Sequence, residues 1–337
     1  MKKIYFLLIT FIIAFSSCMK NEMDGFGPLN YVYLINSGEN NACGSISVYR
    51  EHNNTITNDI LKESTGLEFT NIPFLKGDIL RGTRLLALTQ DKGIFAFHLS
   101  TLQLLSSIPL LEVTDPISIY SDDRYIYVIH DAVVDKSYLT ILSAYNYSYI
   151  TKIEVGKNAT SVISNFNKAF VATEDGIDVI DIAISSMPYL IGTIEGSETN
   201  EVPLNIMKYR NDRIYVSYSS SIAEINAASE TVIKRYNVNV GGKGELFFNS
   251  NYSDLYFYND KTVYAISLEE NANTTPSTVF TSEHVIKSFG FNMFSNTLYT
   301  TSFDGTDYNL EIHDLNGDKI GKHKTNPNTQ NYLYVRW

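Results

Sequence analysis

Cysteine is nearly absent from this chain of 337 residues: Cys18 and Cys43 are the only two. That count excludes a disulfide-stapled scaffold and a cysteine-built zinc site. Proline is also scarce, with 8 residues, so no proline-rich linker divides the chain. There is a single Trp against 24 Tyr and 18 Phe. Basic residues are outnumbered, 26 Lys and Arg to 37 Asp and Glu, for a formal charge of −11. With no basic stripe, nucleic-acid binding is excluded as an expectation. Apolar runs are short: the longest, Ile4 to Phe15, falls below the length of a membrane span.

That run follows Lys2 and Lys3 and precedes Ser16-Ser17-Cys18. A basic start, a short apolar stretch and small residues before a cut define a secretory signal over residues 1–17. The cysteine at the cut resembles the bacterial lipobox, which implies cleavage before Cys18 and acylation there. Losing Lys2 and Lys3 takes the formal charge from −11 to −13. Cys43 would then lack a disulfide partner. Residues 18–30 read as lipid anchor and tether. Glu22 and Asp24 just after the anchor resemble the surface-export signal of Gram-negative anaerobes with outer-membrane uptake systems, which implies the outer face of that membrane, with the periplasmic face as the alternative.

What fills residues 31–337 is a repeat. A β-rich run recurs at Tyr31–Leu34, Arg84–Ala87, Tyr125–Val128, Ala169–Ala172, Ile214–Ser217, Leu255–Tyr258 and Leu298–Thr301. The anchors Leu86, Tyr127, Phe170, Tyr215, Tyr256 and Tyr299 lie 41, 43, 45, 41 and 43 residues apart. Each run is followed by a second one with period-2 alternation, such as Ile177-Asp-Val-Ile180, read as a strand with one face in the core. A shorter outer strand follows in turn. Seven β units at this period predict an all-β, seven-bladed β-propeller of four-stranded blades. The expected blades lie near 31–70, 71–111, 112–156, 157–197, 198–241, 242–283 and 284–326. The first is long, with its excess placed in Asn58–Leu75. The tail Tyr332–Trp337 is expected to pair beside Tyr31–Ile35 and close the ring, removing an exposed strand edge.

Chemistry is hard to find. The six His (His52, His98, His130, His284, His313 and His323) are scattered, with no short-spaced pair. Asp304-Gly-Thr-Asp307 and Gly38-Glu-Asn-Asn41 lack the acidic spacing of a calcium loop. Gly241-Gly-Lys-Gly244 is an incomplete phosphate loop. No Gly-x-Ser-x-Gly elbow is present. The reading is therefore a non-enzyme with no cofactor, no catalytic residue and no metal.

Propeller function gathers at one end of the channel, where blade connectors and within-blade loops converge. The longest such loops are placed at 37–44, 130–138 and 302–309. They carry Asn40, Asn41, His130, Asp131, Tyr138, Phe303, Asp304 and Tyr308, and Tyr218 sits in a shorter one. Aromatic bodies with polar tips suit a broad ligand held by stacking and a few hydrogen bonds.

The opening Asn36–Tyr49, then Asn58–Gly66, resembles that of exported YncE-like, surface-layer-type propeller lipoproteins of anaerobic Gram-negative bacteria. Some members look like corrinoid-binding surface lipoproteins that serve a TonB-dependent outer-membrane transporter. The resemblance implies a small nutrient, with a corrinoid (vitamin B12) as the named ligand, and such a transporter as partner. The alternatives are an interaction scaffold of an uptake complex without a small ligand, and a metal-dependent propeller hydrolase or lactonase.

Overall fold

The computed structural model describes residues 29–38, 43–66, 69–110, 113–132, 136–184, 187–195, 201–208, 212–238, 244–269 and 275–336. Cys18, Asn40, Asn41 and Trp337 lie outside these residues.

Seven antiparallel sheets form the ring, one per repeat. Blade 2 illustrates the plan, with strands Phe74–Leu80, Arg84–Thr89, Gly93–His98 and Leu104–Ile108 running from axis to rim. Blades 3 to 7 repeat it over 116–155, 161–195, 205–237, 247–281 and 286–324. The sequence runs named above are the second and third strands of each blade. The innermost strands (Phe74–Leu80, Pro116–Ser121, Ser161–Asn165, Asn205–Lys208, Phe247–Phe248 and Ile286–Asn292) carry no comparable repeat of their own.

Blade 1 is built from both ends of the chain. Its inner strand is Thr329–Arg336, paired antiparallel with Asn30–Asn36, which pairs in turn with Cys43–Arg50. The closing tail is thus observed, in register Tyr31↔Val335 and Tyr33↔Leu333. The excess in the first repeat is a helix, Ile60–Thr65, and a short strand, Phe69–Thr70. Leu61 and Phe69 are buried there under the core between blades 1 and 2.

Why these strands read as unbroken apolar runs becomes clear from packing. Each blade is covered on both faces by its neighbours, so successive side chains enter different cores. In blade 2, Leu85 and Ala87 join the core shared with blade 1, whereas Leu86 and Leu88 join the core shared with blade 3. One core fills each of the seven blade interfaces. This corrects the one-faced reading of the third strands: Gly176–Ile180 is buried throughout.

The seam between blades 7 and 1 has its own fittings. Tyr332 and Tyr334 lean toward Gly290 on the inner strand of blade 7; a Cβ there would collide with the Tyr334 hydroxyl. Only glycine admits that approach. On the other side, the Asn331 side chain bonds both backbone groups of Gly77, donating to its carbonyl at 2.9 Å and accepting from its N–H at 3.0 Å. It ties the inner strands of blades 1 and 2 as a backbone pair would.

Both ends of the ring follow from strand direction. The upper face carries the blade connectors and the hairpins joining second to third strands. The lower face carries the remaining hairpins, the start of the fold at Asn30 and its end at Arg336.

Candidate functional site

The upper-face residues singled out from sequence mostly sit on strand ends rather than in long loops. Strand Tyr125–Ala132 continues past His130 and the next strand is Lys136–Ser143, so both ends of the loop expected at 130–138 are strand. His130 pairs with Tyr138 across the ladder. Likewise Phe303 pairs with Tyr308, shortening the loop expected at 302–309. At the third loop, Cys43 starts a strand and its thiol is free and exposed. The blade 7 ladder ends on an aromatic pair, a residue type that suits a pleated surface, whereas the blade 3 ladder runs on past His130 and Tyr138 through Asp131↔Ser137 and Ala132↔Lys136.

These ends form two aromatic pairs. His130 stacks on Tyr138 with ring centroids 5.7 Å apart and an interplanar angle of 22°. Lys152 sits 5.1 Å from the Tyr138 ring centre. His130 is buried, its Nε2 lies 2.9 Å from Thr140 Oγ1, and its Nδ1 has no hydrogen-bond partner among the described residues. Burial, then the Lys152 charge, pushes the imidazole down to about 4, so it is neutral at pH 7. Phe303 lies 4.8 Å from Tyr308 and is 40% exposed.

The other singled-out residues serve local structure. Asp131 accepts a hydrogen bond from Ser137 Oγ at 2.7 Å, and Ser137 Oγ accepts one from the Ala159 N–H at 3.1 Å. The Asp304 carboxylate caps its turn, accepting from the Thr306 and Asp307 N–H groups at 2.9 Å and from Asn309 at 2.9 Å. Those bonds hold it down to about 2. Tyr218 is buried in the core between blades 4 and 5, with the Arg235 guanidinium 5.7 Å from its ring centre. The aromatic pairs of blades 3 and 7 share the upper face but belong to separate blades.

Beside the blade 3 pair is a groove of about 290 Å³ between blades 2 and 3, lined by Gln90, Asp91, Leu110, Thr114, Asp115 and Pro116 among others. Thr114 Oγ1 donates to the Asp131 carbonyl at 2.8 Å, and Pro116 pairs with His130, so the groove adjoins that pair.

Sequence reading missed a second polar group on the inner strands. Lys76 donates to Ser118 Oγ at 3.1 Å across blades 2 and 3. Asp78, two residues along, accepts from the Ser121 N–H and from Ser121 Oγ at 2.7 Å. Glu245, just before the inner strand of blade 6, accepts from the Phe289 N–H at 3.1 Å. Burial lowers the Lys76 pKa and raises that of Asp78. It raises Glu245 to about 7, against the attraction of Lys76. The signal was the alternation Lys76-Gly77-Asp78 inside an otherwise apolar run.

Glu245 gives a pH prediction. Between its ordinary value of 4.5 and about 7 the folded state holds the proton more tightly than the unfolded chain. Stability therefore falls as pH rises through that window, and the cost is complete above it. Glu245→Gln is expected to be more stable than the parent at pH 8 by the order of 1–3 kcal/mol, with no gain at pH 4. Urea melts at the two pH values check this. An equal gap at both would show that proton linkage is not the cause.

No protein-family model and no curated protein matches this chain. Solved structures do. The computationally designed Ika8 protein superposes with a TM-score of 0.58 at 11% identity, covering 86% of this chain and 87% of that one. The β-propeller domain of Myceliophteria thermophila Cps50 (Swd1) gives 0.58 at 12% identity, over 74% of this chain and 85% of that one. The fold is a seven-bladed β-propeller. At such identities the likeness is one of fold, and fold alone leaves both ligand binding and protein scaffolding open.

Proposed function

We propose that this chain is a non-enzymatic, lipid-anchored propeller of the outer-membrane surface whose upper face captures a small nutrient for a TonB-dependent transporter. The observation that supports it is the upper-face arrangement: the half-buried Tyr138 ring, backed by the buried His130, beside a polar groove of about 290 Å³, with Phe303 and Tyr308 on the same face. Flat apolar surfaces with a few hydrogen-bonding tips fit a broad, partly planar ligand. A corrinoid is the first candidate, on the resemblance carried by Asn36–Tyr49 and Asn58–Gly66. Anchoring rests on Ser16-Ser17-Cys18.

Calorimetric titration with cyanocobalamin, using the domain without residues 1–18, tests the ligand. Saturable binding at micromolar concentration is expected, weakened roughly tenfold by Tyr308→Ala, about 1.4 kcal/mol. Absence of heat ends the corrinoid reading. A transporter that co-purifies with the ligand-free protein and is indifferent to Tyr308→Ala would favour the scaffold reading.

A further inference from the structure

We infer that the lower face of the ring rests on the lipid surface to which the chain is tethered, so that the upper face points away from the membrane. This rests on the anchoring part of the proposed function and adds an orientation to it.

The exposed apolar side chains are distributed unequally. Of the large ones among the described residues, only Val202, Leu204, Val285 and Phe303 lie at the upper face, and none exceeds 40% exposure. The rest lie on lower-face hairpins or in the lower parts of outer strands. They are densest on blades 3 and 4: Tyr145 at 79%, Met187 at 72%, and Tyr149, Ile184, Tyr189 and Leu190. Tyr149 and Tyr189 open the outer strands of those blades, Tyr149–Val155 and Tyr189–Glu195, which touch each other. Singly exposed apolar residues need no explanation, but a grouped patch marks an interaction surface.

What covers the patch is indicated by the chain itself. The fold begins at the lower face, where Asn30 pairs with Arg336. From Cys18 to that point the chain reaches about 40–43 Å when extended. An acyl group on Cys18 would thus keep this end of the ring within that reach of the bilayer, and the apolar patch would bring it into contact. Aromatic and aliphatic side chains of this kind partition into the interfacial layer. The lower face carries acids as well as arginines (Asp123, Asp212 and Asp318 beside Arg81, Arg124 and Arg213). The contact is therefore apolar rather than electrostatic, and a neutral lipid suffices.

The test uses the full chain reconstituted into phosphatidylcholine vesicles brominated near the headgroup. In a Trp337→Phe background, the chain carries either Tyr189→Trp or Tyr308→Trp as its single indole. Quenching of the Tyr189→Trp variant, with the Tyr308→Trp variant unaffected, is the expected result. If the Tyr189→Trp variant is unquenched, or both variants quench alike, the orientation is wrong. So it is if the indole of the Tyr189→Trp variant is shielded only in native membranes, which would mark a protein as the occupant. Should the Trp337→Phe chain fail to fold, hydrogen exchange of the wild type on and off vesicles reads the same contrast, with protection expected over Tyr189–Glu195 and absent over Lys136–Ser143. Flotation of wild type against Cys18→Ser reports on the anchor separately: equal flotation defeats the anchor while quenching still decides the docking.

Discussion

A chain ending at residue 328 is expected not to fold. Thr329–Arg336 supplies the inner strand of blade 1, and its side chains enter two cores. Leu333 and Val335 are buried against blade 2, and Tyr332 against blade 7. Burying three such side chains contributes about 5–9 kcal/mol, against a total stability of roughly 5–15 kcal/mol for a folded domain. The truncation also removes the Asn331 bonds to Gly77 and uncovers the pairing edge of Asn30–Asn36. Loss of soluble protein and of a cooperative thermal transition is the expected outcome. A truncated chain that still melts cooperatively, within a few degrees of the parent, would show that blade 1 closes without its inner strand.

The second large effect is expected at Glu51. This residue begins a single helical turn after the third strand of blade 1. Its Oε1 accepts from Asn292 Nδ2 at 2.8 Å, from Ser295 Oγ at 2.7 Å and from the Tyr299 hydroxyl. All three donors belong to blade 7, and Asn292 and Tyr299 are fully buried. Burial, then the Glu51 charge, raises the Tyr299 pKa. Glu51→Ala leaves these donors without that acceptor at a half-buried seam, two of them on fully buried residues. Each unsatisfied buried group costs about 1–3 kcal/mol, so a loss of about 3–5 kcal/mol is expected. Glu51→Gln keeps one carbonyl acceptor and should recover part of it. The urea midpoint should fall with an unchanged slope. A shift below about 0.5 kcal/mol, the scale of an ordinary surface change, would mean that the seam is held by packing alone.

How legible all this was in the sequence depended on which strand was being read. The second strands announced themselves because both of their faces are buried, as in Leu85-Leu86-Ala87-Leu88, giving apolar runs that recur at a fixed period. The tail was legible for the same reason in miniature. The inner strands of the other six blades were not. They vary in length, from two residues in Phe247–Phe248 to seven in Phe74–Leu80, and they carry polar groups such as Lys76, Asp78, Ser118 and Ser288 among apolar ones. A strand in which buried polar and apolar side chains are mixed has no strong period. The site suffered similarly: His130, Tyr138, Phe303 and Tyr308 were found as unusual residues near hairpins. Their pairing across a ladder depends on register, and register is set by the length of the intervening turn.

The position of Asn30 has a mechanical consequence. If the chain is anchored as proposed, a tug on the tether is delivered along the axis of a strand held on both sides, by Thr329–Arg336 and by Cys43–Arg50. The ladder bonds lie perpendicular to that axis, so they resist the load together in shear instead of opening one after another. Blade 1, assembled from strands near both ends of the chain, is thereby the part of the ring best placed to bear a pull applied at Asn30.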